Sequence, residues 1–239
     1  MTGAYVARDI KIRVMPPVIA YNNDIFRGVL SAFDNLEEKA KEQANDFFNN
    51  YPADEYTDPG DVAEWAQDHS CAWWETMVSL RQSIVNLLAA GLFHLIEQQL
   101  SALSLDCAYE RVRDTKLEVV KNWYIANLGI DLASLESWGK IDELRLVANS
   151  VKHAEGTSSR QLRELRPDLF QNPAFADLRA EMGERFFDRD DPLSRPLAGE
   201  DMFVTENDLH DYCTAGVALL NGIVEFCAAR RDDQFPLNS

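Results

Sequence analysis

The sequence lacks the motifs that build the common metal, redox and nucleotide sites. Its cysteines are scattered and none forms a CxxC pair, so the usual zinc and redox signatures are missing. No GxxxxGK[ST], GxGxxG or GxSxG motif occurs, which disfavours phosphate-loop, dinucleotide-binding and serine-hydrolase functions. We therefore expect no cofactor and no bound metal. We expect free thiols in the core at Cys71, Cys107, Cys213 and Cys227.

Positive charge is also scarce. The chain has 23 lysine and arginine residues against 40 aspartate and glutamate residues, a formal net charge of −17. Such a protein repels nucleic acid and anionic lipid at long range, which argues against a general polyanion-coating function. Any contact with RNA or a nucleotide must therefore be local.

Long apolar runs are absent as well. The most apolar stretch, residues 84–96, is interrupted by Asn86 and His94 and falls short of the roughly 20 residues that cross a bilayer. No basic segment followed by an apolar segment and a small-residue cleavage site is visible at the start. We expect a cytoplasmic protein without a membrane partner, in which residues 84–96 form a buried helix.

What is present is helical periodicity, which predicts an all-α fold. We expect one helical domain over residues 1–239, a bundle of about six to eight helices. Residues 1–22 are interpreted as an N-terminal extension and residues 232–239 as a loose tail. The period of two in residues 10–14 predicts a short strand before the Pro16-Pro17 break, paired at most with residues 202–204. The predicted helices cover residues 23–49, a short and then a long helix within 61–102, and residues 108–127, 141–155, 159–166, 175–187 and 205–231.

Local signals predict where some of these helices begin and end. Pro52 and Pro59 indicate a loop after the first helix, because proline cannot continue a helix. Gly129 is expected to end the helix that begins near residue 108. Thr205, with an acid three positions on at Asp208, is expected to cap the start of the last helix.

One segment is locally basic inside this acidic chain. Residues 140–166 contain six positive and four negative side chains. In a regular helix Arg145, Asn149, Lys152 and His153 share one face, which is polar where a core-filling helix would be apolar. On the predicted central helix, His94 and Glu97 form a second polar patch, and we expect the two patches to meet.

The stretches FHLIEQQL at residues 93–100 and ANSVKHAEGTSSRQLRELRPDLF at residues 148–170 carry a resemblance to a known superfamily. They look like bacterial helical proteins similar to the HEPN (higher eukaryote and prokaryote nucleotide-binding) superfamily. The resemblance implies a four-to-five-helix bundle, often dimeric, and in many members a metal-independent ribonuclease of toxin–antitoxin or defence systems. The family motif places an arginine four to six residues before a histidine, whereas here seven residues separate Arg145 from His153.

In such a site His153 could exchange protons with a ribose hydroxyl or a leaving oxygen. Arg145 or Lys152 could stabilise charge on the phosphate, and Asn149 could bind a phosphate oxygen or hold the imidazole. Glu97 would fix the ring tautomer of His153. The remaining candidates would border the site as binding residues: His94, Arg160, Arg163 and Arg166.

Two alternatives remain open at this stage. The same polar side chains could be a buried network that holds two core helices in register, in a non-catalytic interaction or dimerisation protein. His94 alone, on an apolar helix, is typical of a satisfied core histidine. A di-metal carboxylate site is disfavoured, because those bundles use Glu-x-x-His on two helices and here the order is His94-x-x-Glu97, once.

Overall fold

The computed structural model describes residues 3–108, 116–183, 192–196 and 201–229. Throughout these ranges the regular elements are helices, and none of the described residues forms a strand. The all-α prediction is therefore confirmed, and the predicted two-stranded pairing is not shown.

The N-terminal segment, residues 3–33, is helical from end to end. It consists of α1 (Gly3–Asp9), a π-helical turn (Ile10–Val14), α2 (Met15–Ala20), a second π-helical turn (Tyr21–Ile25), α3 (Phe26–Leu30) and a 3₁₀ turn (Ser31–Phe33). The face that packs into the core repeats every four residues: Val6, Ile10, Val14 and Val18, all at most 2% exposed.

This repeat explains why the predicted strand at residues 10–14 is wrong. Ile12 is 59% exposed, so the apparent period of two was a period of four with an exposed isoleucine between two buried residues.

The expected break at Pro16-Pro17 is wrong as well. The prolines lack an N–H, and the helix passes them by widening into the π turn, in which the N–H of Met15 donates to Ile10 O, five residues back.

Residues 202–204 have no regular secondary structure and are held by separate hydrogen bonds. The N–H of Phe203 donates to Leu169 O at 2.8 Å. Asn86 donates to Met202 O at 2.7 Å and accepts from the N–H of Val204 at 3.3 Å. The asparagine that interrupts the apolar run is thus a buried side chain that satisfies the backbone of this segment.

The predicted helix 23–49 is divided in two at residues 34–35. Asp34 is extended and Asn35 adopts the left-handed conformation at φ 57°, which asparagine tolerates better than most residues. α4 (Leu36–Asn50) then runs to the loop that Pro52 and Pro59 predicted. The chain turns back at residues 51–58 into α5.

α5 (Pro59–Ala108) is a single helix of 50 residues, so the prediction of a short and a long helix is wrong. At 1.5 Å per residue it is about 75 Å long. No proline or glycine lies between residues 61 and 90 to interrupt it. Its first part packs against α4, where the hydroxyl of Ser70 donates to Ala40 O at 2.7 Å, and its second part enters the core.

We call residues 34–80 the arm and the remaining helices the bundle. The arm buries only four residues in the seam between its helices: Ala40, Val62, Ala66 and Ser70. Cys71, which was expected in the core, is exposed in the arm, whereas Cys213 and Cys227 are buried in the bundle.

The rest of the bundle comprises α6 (Leu117–Leu128), α7 (Trp138–His153), α8 (Thr157–Leu165), α9 (Ala176–Met182) and α10 (Glu206–Ala229). Gly129 ends α6 in the left-handed conformation at φ 65°, as predicted. The predicted cap of the last helix is confirmed, since Thr205 and Asp208 exchange hydrogen bonds. The predicted helical residues 109–115, 184–187 and 230–231, and the tail 232–239, lie outside the described residues.

Within the described parts of the chain, two helices are long and apolar enough to cross a membrane. They are Pro59–Leu103 and Glu206–Ala229, whose most apolar windows are 39% and 50% buried inside the protein. The apolar run at residues 84–96 is thus only a part of the longer helix α5. Core helices of soluble proteins pass the same test, so this finding assigns no location.

Candidate functional site

The two polar patches contact each other where α5 meets α7. Lys152 Nζ lies 3.0 Å from His94 Nε2, and His94 Nδ1 lies 3.2 Å from Glu97 Oε2. His94 and Glu97 are one turn apart on α5, and Lys152 is in the last turn of α7. The three side chains form a chain of hydrogen bonds that we call the relay.

The donors in the relay fix the tautomer of His94. A lysine ammonium group has no acceptor, so Nε2 must accept from Lys152 and Nδ1 must carry the proton that it donates to Glu97. The His94 side chain is 36% exposed and the Glu97 side chain 16% exposed, so the relay opens to solvent on the side of Lys152. This arrangement can orient an imidazole and offer a mobile cation to an anion.

The other candidates on α7 lie apart from the relay. His153 is exposed at the last residue of the helix, and the expected contact between Glu97 and His153 is not formed. Successive helical residues point about 100° apart, so with Lys152 turned towards α5, His153 is turned away from it. Arg145 donates to Asp142 at 2.7 Å, and Asn149 is half-buried one turn before His153.

The arginines around α8 face acids of the same chain. Arg160 is 69% exposed and lies 3.7 Å from Glu155. Arg163 lies 3.4 Å from the same carboxylate and stacks 4.5 Å from the ring centre of Phe170. The basic segment is thus largely neutralised from within, which the count of charges along the sequence did not reveal.

Arg166 is the centre of a partly buried ion network. Its guanidinium donates to Glu143, to Asp168 and, at 2.8 Å, to Asp208. Glu143 also accepts from Tyr212 at 2.8 Å and from Lys140 at 3.0 Å. Arg166 therefore ties α7 and α10 to the segment that follows α8.

The network shifts the pKa values of its members. Burial alone would raise the pKa of Asp208, but hydrogen bonds from Thr205 and Arg166 outweigh it and hold that pKa below 3.8. Hydrogen bonding to Arg166 likewise lowers the pKa of Asp168. Burial, and then the neighbouring Glu143 charge, raise the pKa of Tyr212. Each shift favours the protonation state that the network needs at neutral pH.

Glu143 and Asp208 were not among the predicted site residues. A signal for Glu143 was present, because it lies on the apolar stripe of α7 beside Leu144 and Val147 and is only 7% exposed. An acid at such a position needs a cationic partner. Asp208 was identified only as a capping residue, since its partner Arg166 lies 42 positions away.

Across the described parts of the chain, no group of three or more histidine, cysteine, aspartate or glutamate side chains is placed to hold a metal ion. The reversed order of His94 and Glu97 had already disfavoured a di-metal site.

Comparisons with known proteins add no family. Neither the protein-family models, nor the curated proteins, nor the solved structures gave a match. The function must be argued from the site itself.

Proposed function

We propose that the protein is a HEPN-like, metal-independent endoribonuclease, or RNA-binding component, of a defence or toxin–antitoxin system, acting at the relay. The observation that supports this is the relay: a cation, an imidazole and a carboxylate in hydrogen-bonded order, partly open to solvent. The superfamily that the sequence resembles often acts as a homodimer. We extend that expectation, and a cytoplasmic location, to this chain.

The chemistry would use His94 as the base, in place of His153. When a phosphodiester binds, Lys152 Nζ moves to a non-bridging oxygen and leaves Nε2 of His94 free. Nε2 takes the proton of the ribose 2′-hydroxyl while Glu97 keeps the ring oriented. The 2′ oxygen attacks phosphorus, the bond from phosphorus to the 5′ oxygen breaks, and that oxygen takes a proton from water. The proton that His94 has accepted is then released to solvent. The products are a 2′,3′-cyclic phosphate and a 5′-hydroxyl.

Cleavage of RNA in a chelator tests this assignment. Purified wild type should cut single-stranded or structured RNA in EDTA. His94→Ala should reduce the rate by about 10²–10⁴-fold, the usual contribution of a positioned general base. His69→Ala, which removes a histidine of the arm, is the matched control and should keep the wild-type rate. Identical products and rates from wild type and His94→Ala would show that His94 is not the general base.

Binding supplies a separate measurement. Lys152→Ala should weaken binding of a labelled single-stranded RNA and lower the slope of log K against log salt by about one counterion. Lys11→Ala removes another exposed lysine, in the π-helical turn that follows α1. It should change neither the affinity for RNA nor the salt slope. Equal effects from both lysines would contradict a local site.

A second candidate function is a non-catalytic helical interaction protein, and a specific observation favours it. Arg145, Arg163 and Arg166 are paired with acids inside the chain, and the net charge is −17. In this case the relay only cross-links α5 and α7. Wild-type protein that neither cuts nor binds RNA at about 0.1 M salt, where charges are screened beyond about 10 Å, would establish this alternative over the first.

A further inference from the structure

The arm carries most of the negative charge of the protein. Residues 34–80 contain twelve acidic side chains and only two basic ones, Lys39 and Lys41, which amounts to −10 of the chain's −17. Two cations cannot neutralise twelve carboxylates, so the arm projects a negative field.

The arm also leaves large apolar side chains in solvent. Two antiparallel helices can bury only the seam between them, and here the seam consists of small residues and one valine. Six large apolar or aromatic residues of the arm are exposed: Phe48, Tyr56, Trp65, Trp74, Val78 and Leu80. Three of them, Phe48, Trp74 and Val78, share one side of the arm by helical spacing, and apolar side chains grouped in this way mark an interaction surface.

One side of the arm contains a groove of about 730 Å³ between its two helices. Its floor is made of Ala40, Ala44 and Ser70, and Trp74 closes one wall. Three charged residues also line it: Glu37 and Glu75, one on each helix, form its two rims, and Lys41 lies on α4 beside them. By helical spacing, Phe48 continues the face one turn beyond Ala44, and Val78 one turn beyond Trp74.

A third helix fits such a groove. A floor of alanine and serine lets another helix approach closely, as the seam of the arm itself shows, and Trp74 offers an apolar wall. The third helix would convert an exposed two-helix hairpin into a three-helix bundle with a continuous core. Isolated pairs of helices gain little from burial compared with such a bundle.

The charge of the arm selects the chemistry of the occupant. A second copy of the arm would bring −10 against −10, and nucleic acid would be repelled in the same way. A helix with an apolar stripe flanked by lysine or arginine is attracted, and its cations would reach Glu37 and Glu75 on the rims.

We propose that the groove between α4 and the first half of α5 binds a basic amphipathic helix of a protein partner. Apolar side chains of the partner pack on Ala40, Ala44 and Trp74, and its basic side chains pair with Glu37 and Glu75. This inference does not rest on the RNA site, because the groove and the relay share no residue and each can fail without the other.

The test uses the full-length protein and a fluorescent 18-residue helical peptide with leucine on one face and lysine on the others, at about 0.15 M salt to limit long-range attraction. The matched peptide carries glutamate in place of lysine. The lysine peptide should bind and the glutamate peptide should not. Equal binding of both peptides, or of neither, would overturn the proposal.

Two matched pairs of variants locate the binding on the arm. Trp74→Ala should weaken binding of the lysine peptide at least tenfold, whereas Trp65→Ala, on the other side of the arm, should change it less than threefold. Glu75→Lys should weaken binding more than Glu42→Lys, which makes the same charge change away from the groove. Circular dichroism of each variant checks that it folds. The tryptophan pair and the glutamate pair then give two independent measurements of where the peptide binds.

Three results would overturn the proposal. If the two variants of each pair weaken peptide binding equally, the peptide is attracted by the net charge of the arm and does not bind in the groove. A wild-type dimer in solution that dissociates in Trp74→Ala would assign the groove to a second copy. Direct binding of a labelled single-stranded RNA that is lost in Trp74→Ala and kept in Trp65→Ala would assign it to nucleic acid.

Discussion

Both ends of α5 carry large apolar side chains, but the surroundings of those side chains differ. In the bundle, Leu92, Leu100 and Leu103 are fully buried. In the arm, Trp74, Val78 and Leu80 are between 39% and 45% exposed, and no residue from 71 to 84 is buried. Helical periodicity and hydrophobicity set the helix, but only the neighbouring elements decide which part of it is covered.

Charge divides the same two regions. The bundle surrounds Arg166 with three carboxylates, whereas the arm sets twelve acids against two lysines. Charge in the bundle is therefore part of the packing, and charge in the arm is available to a partner. Substitutions that distinguish these two uses test the comparison.

The largest effect is expected at Arg166. Arg166→Ala removes the cation of Asp208, which is only 7% exposed, and leaves the equally buried Glu143 with Lys140 alone. Removal of one partner from a buried ion pair costs about 3–5 kcal/mol, so the free energy of unfolding should fall by this amount in urea titrations. Arg160→Ala is the control: its side chain is 69% exposed, and its loss should cost about 0.5 kcal/mol or less. A small effect at Arg166 would mean that the network is not closed in solution.

A second prediction compares the two ends of α5 directly. Leu100→Ala creates a cavity at a fully buried position and should cost about 2–5 kcal/mol. Leu80→Ala, at a position 45% exposed, should stay within about 0.5 kcal/mol. Both values come from denaturant unfolding. If the two changes cost the same, residue 80 must be covered in solution, and self-association of the arm would be the first explanation to examine.

Local signals predicted the parts of the fold that depend on local chemistry. Gly129 at the end of α6, the Thr205 and Asp208 cap, and the loop at residues 51–58 follow from the conformations that glycine, capping residues and proline favour. The strand at residues 10–14 failed because five residues are too few to separate a period of two from a period of four. The flanking Val6 and Val18 carried the information that would have decided it.

The site was less predictable because it depends on helix rotation. Sequence identified His94, Glu97, Lys152 and His153 as candidates, but the partner of Glu97 was expected to be His153. Neighbours on a helix point about 100° apart, so a modest difference in the rotation of α7 decides which one meets α5. Likewise, nothing local to Arg166 shows that Asp208 would reach it from α10.

The smallest effect is expected at Tyr21, which fastens the N-terminal segment to the bundle end of α5. Its hydroxyl donates to Leu88 O at 2.8 Å and lies where a Cβ on Gly91 would come within 2.6 Å, so the glycine makes room for it. Tyr21→Phe should cost about 1 kcal/mol at pH 7, the net value of one hydrogen bond. Tyr56→Phe, in the arm at 87% exposure, should cost nothing measurable.

The pH dependence gives this prediction a second readout. Burial, and then the nearby Cys213, raise the pKa of Tyr21 from 10.0 to about 12. The unfolded chain therefore releases this proton first, and the stability that the tyrosine contributes is complete below about pH 10 and is lost as the pH rises towards 12. The gap between wild type and Tyr21→Phe should consequently narrow over this range in alkaline unfolding curves. A constant gap would mean that the hydroxyl is solvated in both states, and the N-terminal segment would then be held to the bundle by its apolar stripe alone.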